Sequence, residues 1–269
     1  MGWPGSSCGR MWRKLTLCTW LIVLWLLAHA LAFFLHEFAH SFTAWIAGYK
    51  ANPLALDYGR LSVPNVLFQS GIDENVSYGP IFASDKGWLA ALIAAAGVLS
   101  NGFFYAASRA LYALARRHAR PMPGLFAFLL CLMNVGNFFD YVPVRTFATH
   151  GDMTTVEKGL GISPWWVVVA AGIPCVVAMW HLMMRLLPDV REFVLAGERA
   201  LQAVLVTVTS VTMFVFFGAS GLDGYGAVSH WISEMSMTVL LVGTTIVCWP
   251  RAGSVDSGNR ARPVAPIAG

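Results

Sequence analysis

Six uninterrupted apolar stretches constrain this chain more than any other feature. They cover approximately residues 15–35, 88–111, 125–139, 165–187, 201–217 and 232–248. A helix needs about 20 apolar residues to cross a hydrocarbon core of about 30 Å. Backbone polar groups in lipid must be satisfied within the segment, which leaves helices as the structure for such runs. The expected fold is therefore an all-α polytopic membrane protein with about six transmembrane helices. Composition agrees. The chain is 57% hydrophobic and only 12% charged, against roughly 25% charged in a soluble domain. Such a surface does not suit a disordered protein, a nucleic-acid binder or an ordinary cytosolic enzyme.

The positive charges indicate topology. With the N-terminus in the cytoplasm, one side holds Arg10, Arg13, Lys14, Arg109, Arg116, Arg117, Arg120, Arg185, Arg191, Arg199, Arg251, Arg260 and Arg262. The other side holds Lys50, Arg60, Lys86, Arg145 and Lys158. This asymmetry predicts both termini on the cytoplasmic side. The expected location is an inner membrane of bacterial type, with the protein crossing it several times. Residues 1–14 form a cytoplasmic segment. A cleaved signal peptide is the alternative for the first span, since Ala28-His29-Ala30 resembles a cleavage site. The apolar run is longer than a typical signal core, however. The tail, 251–269, is rich in small residues and is expected to be disordered. Cys8, Cys18, Cys131, Cys175 and Cys248 follow no disulfide or thiolate-metal spacing and read as apolar fillers.

Chemistry enters at His36-Glu37-Phe38-Ala39-His40. Positions i and i+4 of a helix share a face, so two imidazoles at this spacing can grip one Zn²⁺. The glutamate between them can then serve as a general base. Chance would supply roughly 0.004 such patterns in a chain of this composition, which makes coincidence a poor explanation. Ionisable groups at membrane depth are costly and functional by default. His29 lies on the same stripe, two turns deeper, and reads as a packed, hydrogen-bonded histidine facing the bundle interior. Thr43 and Ile46 stand where an extended zinc motif would continue, so the third ligand must come from elsewhere. The segment 134–152 lies on the same side of the membrane and offers Asp140, His150 and Asp152. Asp152 follows a glycine and opens a helix-like segment at 153–159, and it is the preferred third ligand. Asp140 reads as a turn-fixing residue, and Arg145 is available to pair with either carboxylate.

Three segments together resemble the site-2 protease family of intramembrane zinc metalloproteases. The first is the H-E-x-x-H inside a membrane helix. The second is Ala96-Gly97-Val98-Leu99-Ser100-Asn101, with Val98 where the family has proline. The third is the loop carrying Asn134, Asn137, Pro143 and Asp152, similar to the family's N-x-x-P…D-G segment. Here glycine precedes Asp152 rather than following it, and Asn134 is more distant from it than in the family. The resemblance covers residues 15–160, a catalytic membrane core, and leaves 161–250 as additional helices.

It implies a zinc-dependent endopeptidase with His36, His40 and Asp152 as ligands and Glu37 as the catalytic base. Asn101 or Asn134 would position the substrate or steady an oxyanion. The substrate would be a peptide bond in or near a transmembrane segment of another protein, as in regulated intramembrane proteolysis. The partners are that substrate and the lipid bilayer, with no nucleic acid. Residues 51–82 carry β-prone runs punctuated by Gly, Pro and Asn; the resemblance implies a strand or hairpin there beside the site, and a plain extracellular loop is the alternative. The alternatives are a non-proteolytic zinc-binding protein, an ion transporter on the same scaffold and an inactive family member.

Overall fold

The computed structural model describes residues 7–222 and 224–251. Among them it forms nine helices: α1 (Ser7–Ile46), α2 (Val63–Phe68), α3 (Tyr78–Ala83), α4 (Gly87–Arg117), α5 (Pro121–Val144), α6 (Asp152–Leu160), α7 (Pro164–Leu195), α8 (Arg199–Phe217) and α9 (Ala227–Cys248). Helices α1, α4, α5, α7, α8 and α9 are long and apolar enough to cross a membrane. The protein is a multi-pass, all-α membrane protein. The tail assigned to disorder lies almost wholly outside the described residues.

Helix α1 is long because no glycine or proline interrupts it between Arg10 and Ala47. It stops where Gly48 adopts a left-handed conformation (φ +79°). The Tyr49 N–H then reaches back to the Ala44 carbonyl at 2.9 Å, satisfying a terminal acceptor. The turn between α4 and α5 is equally local. Ala119 has positive φ, and Pro121 begins α5 where a missing N–H carries no penalty.

Helix α5 lies at the centre of the bundle. Phe128, Leu129, Leu132 and Met133 are fully buried, and α7 and α8 pack around them through Leu182, Leu187, Leu205 and Met213. Side chains such as Ile22, Leu99, Phe103 and Ile246 face outward, as expected for helix surfaces in lipid. Short helix α6 lies against α4 through a pair of glycines. A Cβ on Gly159 would meet the Gly87 carbonyl oxygen at 2.3 Å, so only glycine permits this approach.

Two expectations are corrected. The third span does not end at Phe139 but continues to Val144 through a π-helical turn, Asp140–Val144, that contains Pro143. Proline removes a backbone donor and clashes with the preceding turn, and π widening relieves both. The π turns at Val168–Gly172 and Leu182–Leu186 likewise precede Pro174 and Pro188. The second correction concerns residues 51–82, which form no hairpin. They contain α2, α3 and a single antiparallel bridge between Asp57 and Asp73, with both N–H···O distances 3.0 Å. Ser62 caps α2 by accepting the Asn65 N–H, and Pro64 suits the first helical turn. Asn65 then fastens the loop, donating to the Tyr58 and Arg60 carbonyls and accepting from Gly71 N–H. These side-chain bonds compete successfully with strand pairing.

Candidate metal centre

Helix α1 brings His36 and His40 one turn apart, with their Nε2 atoms 3.0 Å from each other. Both residues are 1% exposed. Asp152, the first residue of α6, approaches from the opposite side. Its Oδ2 lies 3.5 Å from His36 Nε2 and 3.2 Å from His40 Nε2. Gly151 makes this entry possible with φ +106°, a conformation side chains disfavour. Burial works against the ionised carboxylate of Asp152, yet the adjacent His40 and His36 imidazoles, when protonated, hold its pKa well below the usual carboxylate range.

The donor set suits a metal ion. Among the described residues, these three are the only His, Cys, Asp or Glu cluster with ligand atoms converging to within 4.8 Å. Tetrahedral ligands about 2.0–2.1 Å from one zinc lie about 3.3 Å apart, close to the three separations found here. Asp152 Oδ2 is buried and faces the two imidazole Nε2 atoms, a costly arrangement for a carboxylate when both rings are neutral and no cation lies between them. Gly97 of α4 keeps the space clear: a Cβ there would fall 2.2 Å from His40 Nε2 and 2.5 Å from His36 Nε2.

The neighbouring bonds set the imidazole tautomers. His40 Nδ1 lies 2.7 Å from the Ile93 carbonyl oxygen. A carbonyl only accepts, so Nδ1 carries hydrogen and the neutral ring offers its Nε2 lone pair to the cluster. His36 Nδ1 lies 3.0 Å from the Asn101 amide. Rotating that amide by half a turn makes its carbonyl the acceptor for His36 Nδ1–H. It also gives a partner to Asn101 Oδ1, which otherwise has none. Tyr141 stacks on His36 with ring centroids 4.4 Å apart and holds the ring from its other face.

A cavity of about 420 Å³ adjoins this cluster, and Glu37 and Asp152 line it. Glu37 is 5% exposed. The far wall comes from the α1–α4 connection through Gln69, Asp73 and Glu74. Burial pushes the Glu74 carboxyl above its ordinary value.

The remaining sequence candidates fall elsewhere. Asp140 lines the cavity, but it pairs with Arg145 at 2.9 Å and accepts a hydrogen bond from Ser220. It is a buried ion-pair residue inside α5, not the turn-fixing residue expected. His150 is exposed and stacks on Tyr225, with centroids 4.5 Å apart. The Asn134 amide donates to the Leu130 carbonyl of its own helix at 2.8 Å, and Asn137 lines the cavity instead. Asn101 meets His36, which suits holding a ligand better than steadying an oxyanion. His29 is buried, stacks on Trp25 and bonds the Phe68 carbonyl at 3.2 Å. Sequence reading missed Tyr141, Gly97 as a spacer, and the wall formed by Asp73 and Glu74. Only Gly97 had left a trace, within the Ala96–Asn101 motif.

Comparison of the chain with protein families, curated proteins and solved structures found no match.

Proposed function

We propose that this protein is a zinc-dependent intramembrane endopeptidase, a divergent relative of the site-2 proteases. The observation carrying the proposal is the convergence of His36 Nε2, His40 Nε2 and Asp152 Oδ2 beside a cavity lined by Glu37. We further infer cytoplasmic termini from the charge asymmetry, in an inner membrane of bacterial type.

His36, His40 and Asp152 would hold the ion. When bound, Zn²⁺ would polarise a scissile carbonyl and bring the pKa of water down to about 7. The rest of the chemistry falls to the chain. Glu37 accepts the proton of the attacking water on a carboxylate oxygen and later delivers it to the leaving amine. One water is consumed, and one new carboxylate and one amine result. Ile93 and Asn101 hold the two imidazoles in their ligating orientation. The apolar residues Phe33, Phe216 and Phe217 line part of the cavity. The substrate is a transmembrane segment of another protein, entering from the bilayer.

The test is cleavage of a transmembrane peptide by the purified protein in lipid. Glu37→Gln keeps the shape of the side chain and removes its basicity. Cleavage is expected to fall by at least about 10²-fold, in line with the usual worth of a general base. Undiminished cleavage by the variant would remove Glu37 from the mechanism.

A further inference from the structure

We infer that the cavity beside the metal centre is a subsite for a basic side chain, lysine or arginine, of the bound substrate segment. The inference rests on the peptidase reading and specifies its substrate. The cavity wall carries Glu37, Asp73, Glu74, Asp140 and Asp152. Arg145 is its one basic side chain apart from His29, and Arg145 is already committed. It pairs with Asp140 at 2.9 Å and lies over the rings of Tyr141 and Tyr225 at 5.0 and 4.6 Å. Lys50 does not line the cavity. Its Nζ donates to the backbone carbonyls of Ala55, Glu74 and Asn75. A divalent ion would balance Asp152 and Glu37, which leaves two carboxylates, Asp73 and Glu74, against the single ammonium of Lys50, whose Nζ is engaged by backbone carbonyls outside the cavity.

Independent of charge, two buried neutral acceptors there lack a donor. Gln69 is 5% exposed. Its Nε2 donates to the Val66 carbonyl, which fixes the amide orientation and leaves Oε1 unpartnered. His29 is 3% exposed. Its Nε2–H serves the Phe68 carbonyl, so Nδ1 is an acceptor, and it also has no partner. Buried acceptors without donors are costly, and both residues line this cavity. The missing complement is therefore positive and rich in N–H groups. An ammonium offers three donors and a guanidinium five. A second metal ion suits the wall poorly, because among the described residues no group of three His, Cys, Asp or Glu ligand atoms converges besides His36, His40 and Asp152. A volume near 400 Å³ accommodates a side chain with its flanking backbone. Lysine and arginine are also the residues that commonly flank membrane spans.

The experiment is equilibrium binding of fluorescent apolar peptides to the full chain in lipid nanodiscs, with zinc content measured in parallel. The peptides differ at one central position: lysine, arginine, norleucine or glutamate. Lysine and arginine peptides are expected to bind at least about tenfold tighter than the norleucine peptide, in line with charged hydrogen bonds in a desolvated site. The glutamate peptide is expected to bind weakest. The double variant Asp73→Asn, Glu74→Gln is expected to bring the lysine-to-norleucine ratio near one without changing norleucine binding or zinc content. Should that variant fail to fold, Ser70→Lys places a tethered ammonium on the same wall and is expected to weaken lysine-peptide binding about tenfold. Equal affinity for lysine and norleucine peptides, or an unchanged ratio in the acid-free variant, would overturn the subsite. Binding is read without cleavage, so inactivity of the enzyme would count against the peptidase reading and leave this result standing.

Discussion

The Ile93 carbonyl oxygen lies 2.7 Å from His40 Nδ1, joining residues 53 positions apart in the chain. This contact ties the orientation of one candidate ligand to helix α4. The Asn101 side chain, two turns further along α4, does the same for His36 at 3.0 Å. Such outer partners typically contribute 10–100-fold to metal affinity. Asn101→Leu is therefore expected to weaken zinc binding by about 10–100-fold, as measured by competition with a chelator of known affinity. Unchanged affinity would show that the amide does not orient His36.

Gly97 offers a sharper steric test. Its Cβ position lies within 2.2–2.6 Å of atoms of both imidazoles, and neither ring is free to retreat because each is held at Nδ1. Gly97→Ala is expected to abolish stoichiometric zinc binding while the protein remains folded in detergent. Gly102→Ala, where nothing lies within 4 Å of the added atom, is the matching control and is expected to bind zinc normally.

Asp140 and Arg145 form a buried pair, 2.9 Å apart. Removing one partner leaves the other charge uncompensated, which typically costs about 3–5 kcal/mol. Asp140→Ala is expected to lower the unfolding temperature markedly and to leave zinc stoichiometry unchanged in the folded fraction. Loss of zinc without loss of stability would instead make Asp140 a ligand.

Glu157 on α6 responds to pH. Burial pushes its carboxyl up to about 7, with Lys158 acting weakly in the opposite direction. An acid whose pKa is higher in the folded state binds more protons folded than unfolded between about pH 4.5 and 7, so its contribution to stability falls as pH rises through that window. Glu157→Gln is expected to raise the unfolding temperature at pH 8 and to have little effect at pH 4.5, as followed by thermal melts across pH. An equal shift at both pH values would remove ionisation as the cause.

Much of this molecule is legible in the sequence because its determinants are local. The six spans follow from apolar length alone, and α1 ends where Gly48 must end it. The facing of His36 and His40 follows from their spacing on one helix. Asp152 stands out because Gly151 frees the backbone just before a helical segment. What is not legible depends on partners distant in the chain. The π turn around Pro143 swings Tyr141 over His36, and no local pattern encodes that stacking. Residues 51–82 carry strand-prone runs, yet Asn65 and the Ser62 cap redirect them into a fastened loop. That loop, from outside the motif, supplies Asp73 and Glu74 to the cavity wall. Gly97 marks a close approach only once α4 is packed against α1.

The central claim is that His36, His40 and Asp152 together hold one zinc ion. Its most direct test is zinc analysis with X-ray absorption spectroscopy on the purified full chain in lipid. One zinc per chain is expected, with two imidazole nitrogens and at least one carboxylate oxygen at about 2.0–2.2 Å. Zinc should be lost from His36→Ala, His40→Ala and Asp152→Ala alike. A wild-type chain that takes up no zinc, or an Asp152→Ala variant that keeps it with the same spectrum, would contradict the account.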